Sequence, residues 1–132
     1  MHLLKPELIF TLGVKNRAVL VQIGFSSQKW EKVCTDPKAA AKVIPPDKVQ
    51  LLIERLEHLA AFDNMSQLRP GGTKDWHALK GDRSGQWSLT LNKPWAICVV
   101  PAGEYTRKDS GEIDYSTVTA VEVVFVGNYH KG

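Results

Sequence analysis

The stretch from Trp76 to Trp95, WHALKGDRSGQWSLTLNKPW, constrains the fold more than any other part of the chain. From Gln86 to Asn92 the residues alternate, with Trp87, Leu89 and Leu91 on one side and Ser88 and Thr90 on the other. A period of two is the pattern of a half-buried strand, because successive side chains leave opposite faces of a sheet. Before it, Lys80-Gly81-Asp82-Arg83-Ser84-Gly85 supplies two glycines, an Asp and a Ser, the residues that tolerate positive φ or cap a turn through their side chains. After it, Asn92-Lys93-Pro94 reverses the chain again. The stretch therefore reads as strand, basic turn, strand, with His77 in the first strand and Lys80 and Arg83 at one rim of the sheet.

The strands expected around it are Lys74 to Leu79, Gln86 to Asn92, Trp95 to Val100 and Val118 to Val126, the last being apolar enough for a central strand. Pro101 to Thr117 is a long polar connection. Upstream, Asp47 to about Ala61 is the clearest helix: Pro46 and Asp47 suit a helix start, and Val49, Leu52, Ile53, Leu56, Leu59 and Ala60 recur at helical spacing. A shorter helix is expected from Ser26-Ser27 to Cys34, stopped at Asp36-Pro37, with another turn after it. Asp63-Asn64 caps a turn through Leu68, and Arg69-Pro70-Gly71-Gly72 is a loop. Leu8 to Val14 and Ala18 to Phe25 read as strand, turn and strand around Lys15-Asn16-Arg17. Residues 1–24 as a whole fit an extra strand, a leader or a misplaced start. Helices followed by a strand meander give an α+β fold, N-terminal helices on an antiparallel sheet. With 132 residues, all of it is expected in one domain.

The net charge of +3 is unevenly placed. Arg69, Lys74, Lys80, Arg83 and Lys93 face only Asp75 and Asp82, so this window holds the whole excess. Such a patch suits a polyanion, and solvated strand ends produce it too. Cys34 and Cys98 form neither a CxxC unit nor a disulfide framework and read as small buried thiols. His2, His58, His77 and His130 lack metal-ligand spacing, so no metal and no cofactor are called for. His58 lies beside the apolar helix face, where a structural role is the expectation. No run approaches the ~18 apolar residues of a membrane span, and the N-terminus lacks a clean cleavage site, so a cytoplasmic location is expected.

His77-Ala78-Leu79-Lys80-Gly81-Asp82-Arg83-Ser84-Gly85-Gln86-Trp87-Ser88, then Pro94-Trp95, then Asn128-Tyr129-His130, together resemble the HigB-type toxins of the RelE/ParE toxin–antitoxin superfamily. The resemblance runs from about Phe25 to the C-terminus, and its specificity lies in the combination of pieces. It implies a RelE-like fold and an mRNA interferase, a metal-independent endoribonuclease cutting messenger RNA on the ribosome. It also implies a helix-turn-helix antitoxin of the HigA type as partner, the toxin being a monomer alone and part of a hetero-oligomer with that partner. By resemblance the last strand returns beside the one ending at Leu79, and His77, Lys80, Tyr129 and His130 are the catalytic set on one concave face.

The chemistry asked of those residues is simple. A base takes the ribose 2′-OH proton, cations steady the phosphorane, and an acid protonates the leaving 5′ oxygen. Two imidazoles supply base and acid near neutral pH. Lys80 and Arg83 suit a phosphate clamp, Lys74, Lys93 and Asn128 suit RNA contacts, and Tyr129 suits base stacking. Each has an ordinary explanation as well. His77 can be a strand-edge residue, Lys80 a solvated turn lysine, Asp82 a turn support or partner of Arg83, and Trp87 and Trp95 packing residues. His130 sits at a chain end, where fraying is normal.

Two positions depart from the family. It reads Asp-Tyr-His at the terminus where this chain has Asn128, which keeps the shape and loses the charge. It also has an arginine after the turn's aromatic where this chain has Ala96, leaving Arg83 or Lys93 as the substitute cation. The alternative is therefore a RelE-fold module that binds RNA or protein without cutting. A ParE-like, gyrase-directed relative fits less well, because those lack the His/Lys/Tyr-His set.

Overall fold

The computed structural model describes residues 20–68 and 76–129, together with the backbone of His2–Leu3. In chain order the main elements are β1 (His2–Leu3), β2 (Gln22–Phe25), α1 (Gln28–Thr35), α2 (Pro37–Ala40), α3 (Val49–Ala60), β3 (Trp76–Ala78), β4 (Trp87–Thr90), β5 (Ala96–Pro101) and β6 (Ala120–Gly127). The fold is α+β. Among the described residues six strands form one sheet in the order β1-β2-β6-β5-β4-β3.

Side-chain caps set the starts of the first two helices. Ser27 is extended at the head of α1 and its hydroxyl accepts from the Trp30 N–H at 3.4 Å. Asp36 ends α1 and caps α2, accepting from Lys38 N at 3.0 Å ahead of Pro37. A 3-10 turn over Pro46–Lys48 leads into α3, whose buried face is Leu52, Leu56, Leu59 and Ala60. Asn64 caps a 3-10 turn at Met65–Gln67, as its sequence suggests. Leu8–Val14 and the Arg69–Gly72 loop lie outside the described residues.

Two features of the sheet differ from the sequence expectation. It is mixed, not wholly antiparallel, because β2 runs parallel to β6 with Gln22 opposite Ala120 and Phe25 opposite Val123. The reason lies in the connections: only strands joined by tight turns are forced to be antiparallel, and α1–α3 lie between β2 and the meander. In addition, β6 does not lie beside β3. The turns after Ala78 and Thr90 pair β3 with β4 and β4 with β5 in sequence, and β6 then pairs with β5, so two strands separate it from β3.

One face of the sheet carries the core. Trp76, Leu89, Ile97 and Val126 form one cross-strand row, and Trp87, Val99 and Val123 are consecutive members of the next; all are buried beneath the helices. The pairing of β5 with β6 is interrupted between Cys98 and Val99: Cys98 is opposite Phe125 but Val99 is opposite Val123. Val124 is thus an extra residue, a β-bulge. The 101–117 segment is ordered as a hairpin-like excursion, with Arg107 bridged to Ile113 and Lys108 N donating to Glu112 O at 2.7 Å. Asp114 caps the following turn through Ser116, and that hydrogen bond is the main reason its carboxyl titrates below the ordinary range.

Leu56, on the buried face of α3, is 1 % exposed. Leu56→Ala is expected to lower stability by about 2–5 kcal/mol in urea unfolding, by lost transfer energy plus a cavity. An exposed neighbour, Glu54→Ala, should change it by less than ~0.5 kcal/mol.

Candidate functional site

The open face of the sheet, opposite the helices, is built by the other parity of the same strands. His77, Ser88, Cys98 and Phe125 are successive cross-strand partners, and Thr90, Ala96 and Gly127 form the adjacent row. Ser88 and Cys98 are fully buried although they are not part of the helix-side core. Their cover comes from the two ends of the sheet.

From one end comes the basic turn. Lys80 is extended, Gly81–Arg83 forms a 3-10 turn, and Gly85 takes φ +94, a conformation that L side chains rarely adopt. This folds Arg83 back over the face. Its guanidinium lies 4.7 Å from the centre of the Phe125 ring and 5.4 Å from that of Tyr129, while Nη1 donates to Gln86 Oε1 at 3.1 Å. From the other end Tyr129, just past β6, turns back to meet it. Phe125 has Trp30 on another side, edge to face at 5.5 Å, and Lys29 lies 4.7 Å above Trp30. A continuous series of cations and rings therefore runs from Lys29 through Trp30, Phe125 and Arg83 to Tyr129. Contacts of this kind are worth ~0.5–2 kcal/mol each, more when desolvated, and they hold the guanidinium in place before any ligand arrives.

Two clefts flank Tyr129. The first, about 450 Å³, is lined by Leu79, Lys80, Asp82, Arg83, Gln86 and Tyr129. The second, about 300 Å³, is bounded by His77, Lys93, Trp95 and Tyr129 over a floor that includes Thr90 and Ala96. The Asn92–Trp95 turn at its rim has Asn92 at φ 74 and a cis Lys93–Pro94 bond.

Of the residues singled out from sequence, His77, Lys80, Arg83, Lys93 and Tyr129 all line this pair of clefts, and half-buried Asn128 immediately precedes Tyr129. His77 and Lys80 are in different clefts that share the Tyr129 wall. Lys74 and His130 lie outside the described residues. Trp87 belongs to the core and faces Tyr115, whereas Trp95 is half-buried at the second cleft. His58 is exposed on α3 and packs against Phe62 at 4.7 Å. Phe125, Gln86 and Trp30 were not singled out. Phe125 was hidden by the bulge, which reverses the apparent parity of β6, and the other two carry no sequence signal.

Both cysteines are free and buried. Burial pushes the Cys98 thiol up to about 11, against opposing effects of the Arg83 charge and the Ser88 hydroxyl. Burial also raises Cys34 strongly. Among the described residues no group of three or more His, Cys, Asp or Glu is disposed to hold a metal ion. Nor does any helix among them have the length and apolar character to cross a membrane. Comparison with protein-family models, curated proteins and solved structures finds no significant match.

If Arg83 roofs this face, its removal opens Cys98 selectively. In the native chain both thiols should resist iodoacetamide at pH 8, as buried protonated thiols do. Arg83→Ala should let Cys98 be alkylated at least about tenfold faster, an expectation based on lost cover, with Cys34 still protected in the intact-protein and peptide mass spectra. Equal protection of both would show that Arg83 is not the cover.

Proposed function

We propose that the chain is a RelE-like toxin of the HigB type, an endoribonuclease that cleaves messenger RNA without a metal, on the ribosome. The observation that carries the reading is the convergence of Lys80 and preorganised Arg83 with Tyr129, His77 and Lys93 in adjoining clefts on one sheet face. These residues were singled out from separate parts of the chain, and a shared open face is what phosphoryl-transfer chemistry requires of them.

In this reading His77 and His130 are the acid–base pair. One removes the 2′-OH proton, the 2′ oxygen attacks phosphorus to form a 2′,3′-cyclic phosphate, and the other protonates the departing 5′ oxygen. Lys80 and Arg83 take the charge of the phosphorane. Arg83 is suited to this because its rings and Gln86 fix it in advance, so little reorganisation accompanies the reaction. Tyr129 lies between the clefts and orients the nucleotide, with Asn128, Lys74 and Lys93 contacting RNA around it. The protein partner is a helix-turn-helix antitoxin of the HigA type that neutralises the toxin, and the location is the cytoplasm.

The second reading is an RNA-binding module that no longer cuts. It is favoured by Ala96, which is 4 % exposed in the floor of the second cleft, where the resembling toxins carry an arginine.

Induced expression in bacteria with 5′-end mapping of a reporter mRNA separates the readings. The interferase reading expects growth arrest and new in-frame mRNA ends. It expects His77→Ala to reduce cleavage by roughly 10²-fold or more, as loss of an acid–base group does, and Arg83→Ala by roughly 10²–10³-fold. A folded chain that binds RNA yet produces no new ends is the outcome expected of the binder.

A further inference from the structure

The second cleft has a shape that catalysis alone does not call for. Its floor includes Thr90 and Ala96, cross-strand neighbours in a row that Gly127 completes. The backbone keeps this row small at Gly127, where φ is +145 and an added Cβ would meet the Phe125 ring at 3.1 Å. Two partly exposed aromatic residues, Trp95 and Tyr129, line it together with His77 and Lys93. About 300 Å³ is the lower end of the range for small-molecule sites, enough for one small planar group. Immediately across Tyr129 is the cleft that holds Lys80 and Arg83.

We propose that the hollow floored by Thr90 and Ala96 and walled by Trp95 and Tyr129 is a nucleobase subsite. It takes one unstacked base of a single-stranded RNA, whose neighbouring phosphate lies against Lys80 and Arg83. The inference rests on the RNA-directed reading of this face and adds to it that Ala96 has a binding role: its small side chain makes room for the base. The rings offer stacking surface to any base, and only a base already free of a duplex can enter such a hollow. Single-stranded RNA is the ligand that joins a planar aromatic group to an anion one linkage away. Recognition should be tolerant of base identity, since stacking precedes any hydrogen bonding in it.

The test uses the full chain and an uncleavable 2′-O-methyl RNA hexamer, the same hexamer with one abasic residue moved through each position, and tripolyphosphate as an anion without a base. Ala96→Leu fills the hollow from β5 and Thr90→Ile fills it from β4, with thermal melts to verify folding. The abasic series needs no variant. We expect either filling substitution to weaken hexamer binding about tenfold, within the loss typical of one stacked base, and to leave tripolyphosphate binding unchanged. One abasic position should reproduce that loss in the native chain and have no further effect in the filled variants. Hexamer binding that is indifferent to every abasic position, or to both substitutions in folded protein, overturns the subsite and leaves the RNA-directed reading standing. A native chain that binds neither hexamer nor tripolyphosphate overturns both.

Discussion

Val124 is the extra residue in β6 opposite the Cys98–Val99 step of β5, and the change of parity it causes decides what the open face of the sheet presents. Before the bulge, Val121 and Val123 face the helices; after it, Val126 does, and Phe125 is turned to the opposite side. Without that change Phe125 would continue the inward series and Val126 would face the open side. With it, a large ring stands where the Arg83 guanidinium can lie on one side and Trp30 on another. The position of Arg83, the burial of Ser88 and Cys98, and the meeting of the basic turn with Tyr129 all follow from that ring. Bulges are used in sheets for this purpose, to re-aim a side chain near a site.

The stability of the fold and the geometry of the site are thus supplied by opposite faces of the same four strands. The helix side is apolar and closed. The open side joins a fixed guanidinium, an exposed lysine and an exposed imidazole to partly exposed aromatic rings. Neither the Gly81–Arg83 turn nor the Asn92–Trp95 turn contributes a fully buried side chain, and of the two only the second touches the core, through half-buried Trp95. Ala96 and Gly127, like Ser88 and Cys98, are buried members of the open face, and the small side chain of Ala96 shapes the second cleft.

Much of the architecture was legible because local chemistry and global fold agree. Ser27, Asp36 and Asn64 cap the elements their residue types suggest, the α3 apolar face packs as its spacing requires, and β3–β6 lie within about two residues of their expected bounds. The alternation at Trp87, Leu89 and Leu91 did find the inward face. It understated the other face, since Ser88 is buried as completely as its apolar neighbours. Strand order was the harder part: the parallel β2–β6 pair joins segments almost a hundred residues apart in sequence, and no local signal encodes it. The bulge is equally silent, because Val-Val-Phe-Val reads as an unbroken apolar strand whichever residue is extra. Among the candidate site residues, those marked by turns and charges came together on one face. The aromatic residues that hold them there could be recognised only from the register.

The most direct test of this account is an NMR titration of the isotopically labelled full chain with an uncleavable single-stranded RNA hexamer. Backbone amides, arginine Nε and tryptophan indole signals would be followed together. The account predicts that the largest shifts centre on Lys80, Arg83, Gln86, Trp95 and Tyr129, while Gln50 and Glu54 on the outer side of α3 stay still. Shifts centred on α2 and α3, or none at millimolar RNA, would contradict the assignment of the open sheet face as the RNA surface.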